Sequence, residues 1–252
     1  MARAAIKRAA VRVASTGTGR QLLSTLFKAS PELAVQVAGP AFNRAPRFST
    51  AEPPARLEGF EDLAFLFANT QLNHGIVALT FDEAAYLYRL VRTLRSATIA
   101  EIGRYKGGST FLIAAAMSPD SELTSYDLRV KLPDAFDYEE LDDELRAMLQ
   151  RYSLAERVEL VVADSRTAPP PERACDLIFL DGDHTYAGVA ADFAHWREHL
   201  ALSGHFVFHD AAERRFHSYE PDVGRFVAEV LAEGRFRRVG EAGSIVHLQA
   251  EG

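Results

Sequence analysis

Five short apolar runs, each with an acidic residue at or near its end, constrain this chain more than anything else in it. They are ATIAEIG (97–103), ELTSYDL (122–128), VELVVAD (158–164), CDLIFLD (175–181) and GHFVFHD (204–210). Each has the length of a strand. Patterns with helical spacing lie between them, at Ser109–Met117, Tyr138–Tyr152 and Tyr186–Leu200. Strands that alternate with helices build a parallel sheet covered on both faces. Upstream, Thr80 and Glu83 form a capping box before a stripe of Ala84, Leu87, Leu90, Val91 and Leu94, so a helix starts there. GFEDLAFLFANTQL (59–72) also has helical spacing. Downstream, a helix over Asp222–Glu233 precedes two strands in FRRVGEAGSIVHL that turn at Glu241-Ala242-Gly243. The expected fold is α/β: a doubly wound, mostly parallel seven-stranded sheet with a C-terminal antiparallel hairpin and an N-terminal helical extension.

Charge divides the chain. Residues 1–50 hold eight Lys/Arg against one acid, Glu32. The whole chain has 28 basic and 35 acidic residues, which leaves 20 and 34 for the rest, a balance of −14. Such a head behaves separately from the body. Its AAIKRAAVRVAS and RQLLSTLFKAS segments admit three readings: an amphipathic helix on an anionic membrane surface, a transit-like leader, or a solvated extension. Arg12 breaks any signal-peptide core, and no apolar stretch approaches the roughly 20 residues that span a bilayer. A cytoplasmic protein, with membrane association at most at its surface, is expected. The proline-rich stretch 39–57 reads as a linker, giving an extension over 1–57 and a catalytic domain over 58–252. The single cysteine, Cys175, excludes a disulfide and a cysteine-built zinc site and reads as core. An acidic body without a basic, aromatic-interleaved patch argues against nucleic acid as a partner. Whether the chain forms a homo-oligomer stays open.

The strand ends carry the chemistry, because doubly wound sheets bind ligands beyond the carboxyl ends of their strands. EIGRYKGGST (101–110) is a strand, a glycine turn and a helix start. Gly103 and Gly107 let backbone approach a ligand, and Ser109 can cap the helix. The spacing is G-x-x-x-G-G, which is neither the dinucleotide fingerprint nor a phosphate-binding loop, since Lys106 precedes the glycine pair. Asp127, 24 residues after Gly103, can accept both hydroxyls of a ribose. Asp164 and Ser165 can read an adenine edge. Glycine loop, ribose acid and adenine acid in this order describe an adenosyl ligand. Asp181 and Asp210 end what this topology makes neighbouring strands, where two carboxylates can share an oxygen-loving cation such as magnesium. His184 has the ordinary pKa of a base at neutral pH.

The segments AEIGRYKGGST, YDL, ADS and FLDGDHTYAGVAADFAHW…LSGHFVFHD resemble the class I S-adenosylmethionine-dependent methyltransferases. They are most similar to the small-molecule O-methyltransferases that include macrolide-sugar methyltransferases and proteins labelled cephalosporin hydroxylase. The resemblance covers about Thr80 to Leu248. It implies a Rossmann-like sheet, S-adenosylmethionine as donor, a small hydroxylated acceptor such as a sugar or glycoside, and a divalent cation. Donor-binding positions on this basis are Glu101, Gly103, Gly107, Ser109, Asp127, Asp164, Ser165 and Asp181. The cation would fall to Asp181, His209 and Asp210, with His184 as the catalytic base. The pair His209-Asp210 departs from the family, which is often acidic at both positions, and histidine favours softer metals than magnesium. Asp183 is expected to orient His184 or cap the next helix, with Tyr186 and Trp196 packing. His74 is a candidate for reaching the pocket. Residues 130–149, read as a solvated helix plus a loop over the pocket, and residues 209–224, with Arg214 and Arg215, are candidate lids. An NAD-linked oxidoreductase and a non-catalytic adenosyl-binding module are the competing readings.

Overall fold

A computed structural model describes residues 47–67, 75–129, 138–212 and 222–251. Five of its strands are the apolar runs: β1 (Thr98–Ile102), β2 (Glu122–Asp127), β3 (Val158–Val162), β4 (Cys175–Leu180) and β5 (Leu200–Phe208). The hairpin adds β6 (Phe236–Ala242) and β7 (Ile245–Ala250). The sheet order is β3-β2-β1-β4-β5-β7-β6, with β1 to β5 parallel, and β7 antiparallel to both β5 and β6. Chain order reverses between β1 and β4, so the crevice that such sheets offer a ligand opens there.

The helices are α1 (Phe81–Thr93), α2 (Gly108–Ala116), α3 (Tyr138–Arg151), α4 (Tyr186–Trp196) and α5 (Asp222–Ala232). Alternation along the central strands sends side chains to two cores. Ile99, Leu177, Phe179 and Val207 face α1, α2 and α3, while Ala100, Ile102, Ile178, Leu180, Phe206 and Phe208 face α4 and α5. Cys175 and Trp196 lie fully buried in the second core. None of the described helices is long and apolar enough to cross a membrane.

Some elements differ from expectation. The pattern over 186–200 stops being α-helical at Trp196, where a 3-10 turn (Arg197–His199) leads into β5. FEDLAFL forms a 3-10 helix (Phe60–Leu66) instead of an α-helix; its Phe60 packs edge-on against Phe81 and the following Phe67 lies tilted to the same ring. The hairpin turns one residue later, at Gly243-Ser244, with Gly243 at φ +58°. Of the proline-rich stretch, residues 47–57 lie against the domain. Phe48 is buried beside Phe111, Arg47 pairs with Glu140 and Glu144, and the Tyr152 hydroxyl donates to the Pro54 carbonyl. The helical extension before residue 47, His74, Arg214, Arg215 and residues 130–137 and 213–221 of the candidate lids lie outside the described residues.

Candidate active site

A cavity of about 480 Å³ opens at the carboxyl ends of β1 to β4. That size suits a ligand such as a nucleoside derivative. Its floor is the turn after β1. Gly103 has φ +95°, and its α-carbon lies so close to the Asp181 backbone that a side chain would strike it. Gly107, at φ +86°, caps α2. Asp127 staples this turn: Oδ2 accepts the N–H groups of Arg104 at 2.9 Å and Tyr105 at 3.0 Å, and Oδ1 accepts that of Arg129 at 2.7 Å. Beneath it, the Arg104 guanidinium is buried, pairing with Asp142 and donating to the Ser125 carbonyl at 2.6 Å.

Of the eight donor-binding positions expected from sequence, Gly103, Ser109, Asp127, Asp164, Ser165 and Asp181 line the cavity. Glu101 and Gly107 do not. Glu101 is fully buried, with its Oε2 accepting the hydroxyls of Thr110 and Ser125 at 2.5 Å each. Burial raises its pKa, and it supports the turn from below. Strand alternation explains the exchange: Ile102, one residue on, points into the cavity instead. Asp164 forms a bidentate pair with Arg166, which brings its carboxyl down to about 2. Ser165 donates to Asp192 at 2.6 Å, and its carbonyl accepts the Trp196 indole N–H at 3.0 Å. Asp192 and Arg166 line the cavity and were not picked out from sequence. An acid on the otherwise apolar face of α4 was the available signal for Asp192.

The second half of the site is a chain of alternating carboxylates and imidazoles at the ends of β4 and β5. His184 Nε2 lies 3.2 Å from Asp181 Oδ1, and its Nδ1 lies 3.1 Å from Asp210 Oδ2. His209 Nδ1 lies 2.8 Å from Asp181 Oδ1 and 3.6 Å from Asp210 Oδ2. The far nitrogen of His209, Nε2, lies 3.5 Å from Oε2 of Glu83, a buried residue of α1. Sequence reading found in Glu83 only a capping residue. It does cap α1, but it also accepts the N–H and the hydroxyl of Ser244 at 2.7 Å each.

Electrostatics follow from this packing. Hydrogen bonds to Asp181 and then Asp210 push the His184 pKa up to about 10. Burial would lower that of His209, but Asp181 and Glu83 outweigh it and also bring it to about 10. Burial would raise Asp181 and Glu83, yet the imidazoles hold both below the usual carboxylate range.

One ligand atom from each of Asp181, His184 and His209 can be chosen so that all lie within 4.8 Å of one another. The expected set was Asp181, His209 and Asp210, with His184 apart as base. The geometry places His184 within the same cluster and keeps Asp210 at its edge. Asp183 accepts the Thr185 N–H at 3.0 Å beside the N-cap of α4, a capping part. The Tyr186 ring packs on Phe226 under the Arg225 guanidinium.

Residues 100–211 match a family model described as a methyltransferase domain. No curated protein matches the chain. Among solved structures, the O-methyltransferase TomG of Streptomyces achromogenes, involved in tomaymycin synthesis and crystallised with S-adenosylmethionine, shares the fold. It is 17% identical, with a TM-score of 0.53 over 69% of this chain and 82% of that one. A Geobacter sulfurreducens methyltransferase is 21% identical, with a TM-score of 0.52 over 69% and 80% of the two chains. A Bacillus cereus O-methyltransferase, crystallised with S-adenosylhomocysteine, is 19% identical, with a TM-score of 0.50 over 69% and 82%. At such identities the likeness is one of fold. Family match and sheet order agree with the glycine turn and the acidic strand ends, and the fold is that of the class I, Rossmann-like methyltransferases.

Proposed function

We propose that the chain transfers a methyl group from S-adenosylmethionine to a hydroxyl oxygen of a small molecule, of which a sugar or glycoside is the first to try. The observation that supports this best is the double position of Asp181. Its backbone closes the cavity against Gly103, and its carboxylate starts the imidazole cluster. A donor held in the cavity would therefore present its methyl group beside groups able to handle a proton.

In the transfer, the acceptor oxygen attacks the methyl carbon in line and the carbon–sulfur bond breaks. The electron pair stays on sulfur, and the hydroxyl proton passes to a base. His184 suits that part because its side chain is 47% exposed, whereas that of His209 is 4% exposed and out of an acceptor's reach. Asp181 and Asp210 orient the imidazole from either side. Flanked by carboxylates alone, however, His184 holds its proton up to about pH 10. The donor set of Asp181, His184 and His209, with Asp210 beside it, fits a divalent cation. Such a cation would lower the pKa of a nearby hydroxyl and offset these carboxylates; a His184 that ligates it would no longer be free to take the proton, which would then pass to Asp210 at the edge of the cluster.

The test is calorimetry with S-adenosylhomocysteine, with and without divalent cations, followed by an acceptor screen read by methyl transfer. Failure to bind S-adenosylhomocysteine overturns the proposal. The basic segment 1–50 is the part that would meet an anionic surface. Co-sedimentation with phosphatidylserine vesicles at low and high salt, with and without that segment, tests it.

A further inference from the structure

Glu83 is fully buried, yet it belongs to α1, outside the five acidic strand ends. Capping occupies Oε2, which accepts the Thr80 N–H at 2.6 Å. The rest of the carboxylate reaches the opposite end of the sequence. The β6–β7 turn closes over it: Ser244 donates twice to Oε1, and a Cβ on Gly243 would lie 2.6 Å from that oxygen. On the cluster side, Oε2 faces His209 Nε2 at 3.5 Å, while Nδ1 of the same ring faces Asp181 and Asp210. A carboxylate on the outer nitrogen of a histidine fixes its proton there and aims the other nitrogen at a ligand. A capping residue alone needs no such contact.

We propose that Glu83 is a positioning residue that fixes the Nε2–H tautomer of His209, presents Nδ1 as a nitrogen donor beside Asp181 and His184, and so equips the site for a zinc-class cation rather than magnesium. The inference rests on the methyl-transfer reading only for the use to which the cation is put. Its chemical ground is the donor set. Two imidazoles and a carboxylate suit zinc or cobalt, whereas magnesium prefers oxygen ligands and retains its waters.

The experiment titrates the full-length protein with cobalt(II), followed by visible absorption, and with zinc and magnesium by calorimetry. Wild type is expected to show cobalt bands of a site containing nitrogen ligands, displaced by zinc but not by about a hundredfold excess of magnesium. Glu83→Gln is expected to weaken cobalt and zinc binding by about 10- to 100-fold and to shift the bands. Thr80→Ala, which disturbs the same cap without touching His209, is expected to leave cation affinity within about twofold if only the His209 contact matters. Nitrogen-15 NMR of histidine-labelled, zinc-loaded wild type reads the tautomer directly, whatever the variants do to folding. A proton on Nε2 of His209 supports the proposal, and one on Nδ1 overturns it. Displacement of cobalt by equimolar magnesium, unchanged cobalt binding in Glu83→Gln, or equal loss in Thr80→Ala also overturns it. Calorimetry with S-adenosylhomocysteine on the same samples separates the two ideas. Donor binding without cation binding sinks this inference alone, and cation binding without donor binding sinks the methyl-transfer reading alone.

Discussion

Replacing Gly103 with alanine puts one methyl group where the donor cavity meets the cluster, and the structure supplies both parts of its cost. The first is conformational: at φ +95° an L side chain costs about 1–2 kcal/mol. The second is steric. The new Cβ would lie 2.6 Å from the Asp181 carbonyl carbon and 2.9 Å from the Gly182 nitrogen, against the roughly 3.5–4.0 Å that carbon contacts prefer. The obstacle is backbone between β4 and the cluster, so it cannot rotate away, and overpacking of this kind costs about 1–3 kcal/mol. Together they destabilise by about 2–5 kcal/mol, a fall in Tm of roughly 4–20 °C for a domain of this size. Gly234→Ala is the control. It has φ +72° with nothing within 4 Å of the added Cβ, so only the conformational part applies and Tm falls by roughly 2–8 °C. Scanning calorimetry on both variants, with S-adenosylhomocysteine titrations, gives the answer. Equal losses in the two variants, or a Gly103→Ala protein that binds S-adenosylhomocysteine as wild type does, would refute the close approach of the turn to Asp181.

Three further outcomes are expected. Asp127→Asn removes the charge that receives the N–H groups of Arg104, Tyr105 and Arg129, so S-adenosylhomocysteine affinity should fall about tenfold or more in calorimetry; an unchanged affinity would show that the staple does not shape the pocket. Asp181→Asn should abolish tight cobalt binding and methyl transfer while sparing most of the affinity for S-adenosylhomocysteine. Proton NMR should then find His184 titrating well below about 10, since its first-named partner is gone. His247, bonded to the Tyr86 hydroxyl at 2.8 Å and to His205 at 2.9 Å, has its pKa brought down to about 4, first by burial and then by His205. A folded pKa below the unfolded 6.5 gives stability that is fully present above pH 6.5 and is lost as pH falls toward 4. Urea melts should show about 1–2 kcal/mol of this loss between pH 7 and 5 in wild type, and its absence in His247→Gln.

What sequence could and could not reveal follows from how far each contact travels along the chain. The central strands β1 and β4 were legible because burial on both faces leaves a largely apolar run, and the acids at the strand ends because parallel strands bring their carboxyl ends to one edge. The assignment of Glu101 to the ligand failed at the finest step. Position near a strand end does not say which face a side chain takes, and alternation gave the cavity to Ile102. Glu83 was hidden for a different reason. Its capping box explains the residue completely at local range, while its other partner, Ser244, is 161 positions away. No periodicity reports which face of α1 the hairpin turn will close upon.

That distant contact changes the charge count of the site. Asp181 and Asp210 against His184 and His209 would balance with both rings protonated, and such a cluster would hold itself together as two ion pairs. With Glu83 included, three carboxylates face two imidazoles. Burial strengthens the attraction within the cluster, because the solvent that would screen it is excluded around Glu83 and His209. A divalent cation held by Asp181, His184 and His209 would displace the ring protons and take over that pairing.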